Sequence, residues 1–224
     1  MKLFYLFIFI FTVLSSSSAD TNTVYKVKEV PKNMSVKAKK KRFFNLLVPV
    51  VSNVYIELIN QYIVTSNDIK AGINLEKIEK LKTSYGVKSN KELLIALKPH
   101  PPSIVLAQAA MESAWATSRF FREANNVFGV WSVNKNEARI AAGEKRGGTK
   151  TIWLRKFDSL EESVREYYKM LAKARVYREF REVRYNTNNP YEIVKKLDKY
   201  SEIGKEYTLE LSNVIRYNKL IKYD

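Results

Sequence analysis

Residues 103–118 read Ser-Ile-Val-Leu-Ala-Gln-Ala-Ala-Met-Glu-Ser-Ala-Trp-Ala-Thr-Ser, and the only charge among them is Glu112. A helix that is apolar on nearly every side is one that other elements surround. Pro101 and Pro102 just ahead of it are start punctuation. The pattern predicts a central buried helix from Ser103 to about Phe121, with Glu112 on the same face as Val105, Gln108 and Trp115. A carboxylate in such a helix is costly unless it is paired, opens into a cleft or is protonated. The last two conditions suit a glutamic acid whose pKa rises toward neutrality, so that it donates a proton at working pH. The first would be met by an ion pair to Arg119 or by backbone hydrogen bonds.

Downstream, residues 129–156 contain Gly143, Gly147 and Gly148 followed by the β-prone run Thr149 to Leu154, the signature of a hairpin. Ser159 with Glu162 forms a capping-box pattern opening a helix to about Ala174. Further helices are expected over 176–184, 191–199 and 205–220. Upstream, Leu75 to Tyr85 reads as a helix closed by Gly86, and Lys91 to Leu97 as a short one before Pro99. From Phe43, the residues Phe44, Leu47, Val51, Val54, Leu58 and Tyr62 recur at helical spacing. Asn45, Asn53, Glu57, Asn60 and Gln61 interrupt them, which argues for an amphipathic helix over a membrane span. The fold class is α+β and mostly helical: a lysozyme-like core with a small β-hairpin lobe, the acid on the core helix facing that lobe.

The first 19 residues have the form of a signal peptide. Lys2 is followed by an apolar run from Leu3 to Leu14 and a small-residue site ending at Ala19. Residues 20–42 read as a basic linker ending in Lys37, Lys39, Lys40, Lys41 and Arg42, and residues 43–224 as the functional domain with an N-terminal helical extension. The 224-residue chain has 39 Lys+Arg against 23 Asp+Glu, a net charge of +16, no cysteine and one histidine, His100. Thiol nucleophiles, thiolate zinc sites and disulfide scaffolds are excluded, and a histidine-based triad is disfavoured. No metal or organic cofactor is implied. The positive excess favours an anionic partner. Export points to the cell envelope or periplasm and to peptidoglycan glycan strands. A nucleic-acid partner lacks a motif and conflicts with export. Oligomeric state is not legible.

Leu106-Ala107-Gln108-Ala109-Ala110-Met111-Glu112-Ser113-Ala114-Trp115 resembles the "AQAALESGWG" helix of peptidoglycan-cleaving endo-β-N-acetylglucosaminidases, glycoside hydrolase family 73. Asn125-Asn126-Val127-Phe128-Gly129 is similar to that family's "NNLFG" turn. The nearest likeness is to the Bax-like branch of bacterial envelope proteins. Phe43-Phe44, Pro49, Phe157-Asp158-Ser159, Tyr177 to Arg181 and Tyr200-Ser201-Glu202 look like its flanking motifs. Ala114 and Ala116 stand where that family usually has glycines.

The resemblance implies Glu112 as general acid at the β1,4 bond after N-acetylglucosamine. Glu144, ahead of Glu137, would be the second carboxylate, unless the substrate's acetamido group takes that part. Tyr200 and Tyr207 fall where related enzymes line the cleft with tyrosines. Gln108, Trp115, Asn126, Phe128 and Trp131 are the expected substrate contacts. A lytic transglycosylase using Glu112 alone, and a non-catalytic wall-binding module, remain the alternative readings.

Overall fold

The computed structural model describes residues 24–143 and 151–224. The expected signal peptide, the first residues of the basic linker and the hairpin tip with Glu144 lie outside the described residues.

Nine α-helices are described: α1 (Val36–Ala71), α2 (Leu75–Tyr85), α3 (Asn90–Leu97), α4 (Pro102–Glu112), α5 (Arg119–Ala124), α6 (Leu160–Lys173), α7 (Arg178–Asn186), α8 (Pro190–Ile193) and α9 (Lys205–Tyr217). Two strands, β1 (Arg139–Ala141) and β2 (Trp153–Arg155), form an antiparallel pair that matches Ile140 with Leu154. Trp131 bridges Leu154 from the other edge of β2. The mostly helical α+β class with one small hairpin therefore stands.

The long helix α1 starts at Val36, inside the segment expected to be a linker. The reason is visible at Arg42, which is fully buried although it closes a basic run. Its guanidinium donates to the carbonyls of Lys26, Val27 and Glu29 at 2.9–3.1 Å and to that of Ala116 at 2.7 Å. A buried arginine is tolerated when carbonyl dipoles replace its lost hydration. Lysine-rich composition hid this arrangement because, in a run of solvated cations, Arg42 is the one that is fully buried. Among the described residues, α1 alone is long and apolar enough to cross a membrane by length and composition. Its Phe43, Leu47, Val50, Val51 and Val54 are buried in the core, and it packs against α3, α4 and α6.

Helix α4 is the hub. Ile104, Val105, Leu106, Ala107, Ala109 and Ala110 are all 0–1% exposed. Burying each of the three larger side chains contributes about 1.5–3 kcal/mol. The side chain of Asp224 caps the helix start, accepting from the Ser103 amide at 2.7 Å and its hydroxyl at 2.8 Å. Helices α1 and α9 pack on α4.

The predicted run to Phe121 is broken: α4 ends at Glu112 and α5 begins seven residues later. The Ser113 hydroxyl donates to the Ala109 carbonyl and accepts from the Ala116 amide at 2.8 Å. Ala114, Trp115 and Ala116 then adopt left-handed backbone angles, with φ of 51°, 61° and 62°. Each such non-glycine residue costs about 1–2 kcal/mol, which explains why glycine suits these positions and why an alanine-rich run concealed the break.

Candidate active site

Glu112 occupies the last position of α4 and is solvent-exposed, in contrast to the buried site the sequence suggested. It borders a cleft of about 340 Å³ shared with Phe120, Gly129, Trp131, Ala142, Ile152 and Leu154. The cleft therefore runs between the end of the core helix and the hairpin lobe. One side of the carboxyl meets open space and the rest meets protein. Desolvation by that protein raises its pKa, while a hydrogen bond from Tyr207 partly offsets the rise. The carboxyl-terminal end of a helix dipole also disfavours an anion there. No cation neutralises it among the described residues. Arg119 instead pairs with Glu123 at 3.4 Å and donates to the Ala141 carbonyl.

Behind the carboxyl lies a file of buried polar groups. Tyr207, on α9, donates to Glu112 Oε1 at 3.0 Å. Gln108, one turn back on α4, donates through Nε2 to the Tyr207 hydroxyl at 2.9 Å. Tyr167, on α6, donates to Gln108 Oε1. The Tyr167 hydroxyl lies 3.1 Å from His100 Nε2. Gln108, Tyr167 and His100 are completely buried and Tyr207 almost so. Tyr200 stacks on Tyr207, with centroids 5.6 Å apart at 12°. Burial and the nearby Glu112 carboxylate both push the Tyr200 and Tyr207 phenols up, so both stay protonated donors.

The remaining expected site residues divide sharply. Trp131 is 66% exposed and lines the cleft, free to present its ring. Gln108 is not open to substrate: both of its amide atoms are used by tyrosines in the interior. Phe128 is also interior, stacked on Tyr167 at 4.0 Å and 14°. Asn126 shapes its turn by donating to the carbonyls of Val130 and Arg155 and accepting from the Val130 amide. The turn ends at Gly129, whose φ of 67° glycine adopts without the cost a side chain would bring. Trp115, thrown off the helix face by the left-handed turn, packs edge-on against Phe43 and Phe44, with Lys40 over its ring. Glu137 pairs with Arg155 at 3.3 Å. Arg155 also reaches Glu166, and it follows the cleft-lining Leu154 in β2, so strand alternation turns it to the opposite face.

Composition and motif reading missed Tyr167 and the inward role of His100. Neither sits near Glu112 in sequence, and only the packing of α6 on the segment before α4 brings them into line. The cleft walls Phe120, Ile152 and Leu154 carried no signal beyond hydrophobicity.

A buried core helix ending in an uncompensated glutamate, opposed across a cleft by a β-hairpin, is the arrangement of a lysozyme-like glycoside hydrolase fold. The fold of the catalytic domain of the autolysin Auto from Listeria monocytogenes is similar, with a TM-score of 0.54 at 18% identity over 85% of this chain and 90% of that one. The glycoside hydrolase domain of FlgJ from Salmonella typhimurium gives a TM-score of 0.44 at 22% identity over 62% and 97% of the two chains. The family model described as mannosyl-glycoprotein endo-beta-N-acetylglucosaminidase matches residues 91–220, and the chain belongs to this glucosaminidase family. "Protein bax" of Escherichia coli (strain K12) is 33% identical over 113 residues. That match takes in 48% of this chain and 39% of the relative, so the chain spans well under half the length of that protein. The expected membership of a glucosaminidase family is thereby borne out.

Proposed function

We propose that the chain hydrolyses the β1,4 bond after N-acetylglucosamine in peptidoglycan, with Glu112 as the general acid, in the cell envelope after export. The observation that carries this reading is the Glu112 carboxyl itself. It borders a cleft, is bonded to a neutral tyrosine, faces no cation among the described residues, and is shifted toward the protonated form.

In this scheme Glu112 gives its proton to the glycosidic oxygen as the bond to the anomeric carbon breaks, and water adds to that carbon. N-acetylglucosamine is left at the new reducing end. Trp131 offers a flat apolar surface on which a sugar face stacks. Tyr207 orients the acid and Tyr200 braces Tyr207. Since Glu137 is engaged by Arg155, Glu144 is the acidic side chain of the hairpin assigned to activating water. The strong positive charge suits a polymer bearing carboxylates. Residues 1–19 would act as the signal peptide and 43–224 as the catalytic domain.

The test is digestion of purified peptidoglycan by wild-type, Glu112→Gln and Glu144→Gln proteins, with products identified by mass spectrometry. Reducing-end N-acetylglucosamine from the wild type, with loss in Glu112→Gln, is expected. Products ending in 1,6-anhydro-muramic acid would replace hydrolysis by a lytic transglycosylase. Equal solubilisation by wild type and Glu112→Gln would remove Glu112 from the chemistry.

A further inference from the structure

The four hydrogen bonds behind Glu112 have a direction, and that direction is decided at the end farthest from the cleft. In the observed arrangement Tyr207 donates to Glu112, Gln108 to Tyr207, and Tyr167 to Gln108. Tyr167 has then spent its proton, so the 3.1 Å contact with His100 requires a proton on His100 Nε2. His100 Nδ1 is buried and has no partner. As a bare lone pair it is an unfilled acceptor, the less costly of the two orphan types.

The opposite direction is also sterically available: turning the Gln108 amide over makes Tyr207 donate to Gln108 and Tyr167 donate to His100. That state would place a proton on His100 Nδ1, creating an orphan buried donor. It would also aim the Tyr207 lone pair at the Glu112 carboxylate, removing its hydrogen bond.

The imidazole is well fixed. It packs on Tyr168 at 4.5 Å, on Phe180 at 5.3 Å and on Tyr167 at 5.5 Å, and its backbone carbonyl accepts from the Tyr168 hydroxyl at 3.2 Å. The groups facing it are Tyr167 and Tyr168 from α6 and Phe180 and Arg184 from α7, with no carboxylate among the described residues. Complete burial and the Arg184 charge both lower its pKa, so the ring stays neutral. Around Glu112 the titratable neighbours are Tyr207 and Tyr200.

We infer that His100, held as its Nε2–H tautomer, is a positioning residue that polarises the Tyr167–Gln108–Tyr207 chain so that Glu112 Oε1 always accepts from Tyr207 and Oε2 carries the proton delivered to the substrate. The inference rests on the proposal that Glu112 is the general acid, and it adds which oxygen acts and what selects it.

The single histidine makes the test clean, because a chain labelled with ¹⁵N-histidine shows one pair of ring nitrogens in a long-range ¹H–¹⁵N correlation. The expected spectrum is the neutral Nε2–H tautomer from pH 5 to 8 (roughly the range over which an ordinary histidine titrates). An Nδ1–H tautomer or an imidazolium overturns the inference, and this readout does not depend on activity. The kinetic arm compares His100→Phe, which removes the donor, with His100→Gln, whose amide supplies a nitrogen near the Nε2 position. In His100→Phe, kcat should fall about tenfold with KM little changed, and the basic limb of the pH profile should move up by roughly half a unit. His100→Gln should restore both. Equal behaviour of the two variants, or a loss of thermal stability with an unmoved pH profile, refutes the positioning role. Wild-type activity in Glu112→Gln would sink the acid assignment instead, leaving the tautomer result to stand by itself.

Discussion

Replacing Tyr207 by phenylalanine perturbs acidity and stability in ways that can be separated. The hydroxyl makes two bonds, one received from Gln108 Nε2 at 2.9 Å and one given to Glu112 Oε1 at 3.0 Å. Its loss strands the Gln108 amide donor in the interior, which costs about 1–3 kcal/mol. A domain of this size loses roughly 2–4 °C of Tm for each kcal/mol, so Tm should drop by about 2–12 °C. The other bond favours the ionised carboxyl, because Tyr207 lowers a pKa that burial has raised. Removing it lets the Glu112 pKa climb further. The carboxyl is open to solvent on one side, so the bond is worth only about 1 kcal/mol, which is roughly 0.7 of a pKa unit. In the proposed mechanism the protonated acid is the working form, so activity is lost as pH rises through the Glu112 pKa. The basic limb of the variant's profile should therefore move up, although the rate at its optimum falls. Turbidity clearance of purified peptidoglycan across pH, paired with thermal unfolding, provides both measurements. A limb that moves down, or stays put while Tm falls, would refute the claim that this hydroxyl sets the acidity of Glu112.

Glu112→Gln should be more stable than wild type at neutral pH, with the gap closing as pH falls through the raised folded pKa of Glu112 and gone below the unfolded glutamate pKa of about 4.3. The sign follows from a folded pKa raised above the unfolded one: stability is complete at low pH and is lost as the carboxyl ionises on the way up. Urea titrations at several pH values would show a constant difference if this were wrong. Ala114→Gly should stabilise by about 1 kcal/mol, because it relieves left-handed strain at an exposed position with no packing to lose. A lower denaturation midpoint would contradict the strain. Trp131→Ala should raise KM for glycan fragments several-fold and leave Tm within about 2 °C, given the exposure of the ring. Unchanged KM would take Trp131 out of the binding surface.

Helices that begin and end on local chemistry were legible in the sequence. The span of α2 from Leu75 to Tyr85 and its glycine cap match the reading residue for residue, as does the Ser159 cap of α6. The resemblance implies Tyr207 as a cleft-lining residue; the structure buries it behind the Glu112 carboxyl, to which it donates. What escaped were features on which local pattern and tertiary context disagree. Ala114, Trp115 and Ala116 continue the apolar periodicity of α4, so nothing in composition marks the reversal that throws Trp115 onto Phe43 and leaves Glu112 at a helix end. Gln108, on the same helix face as Glu112, is among the expected substrate contacts. The packing of α6 and α9 instead gave it two tyrosines. His100 sits among prolines ahead of α4 and its partner Tyr167 is 67 positions away, so nothing local marks its inward contact.

The Arg42 guanidinium ties residues 26–29 and the reversal after Glu112 into a single knot. A protein trimmed to begin at Pro31 would retain every helix named above, yet Arg42 would have lost three of its four carbonyl partners. Its remaining grip would be on Ala116, four residues beyond the acid. The slack would thus surface beside Glu112 before it showed in overall helicity.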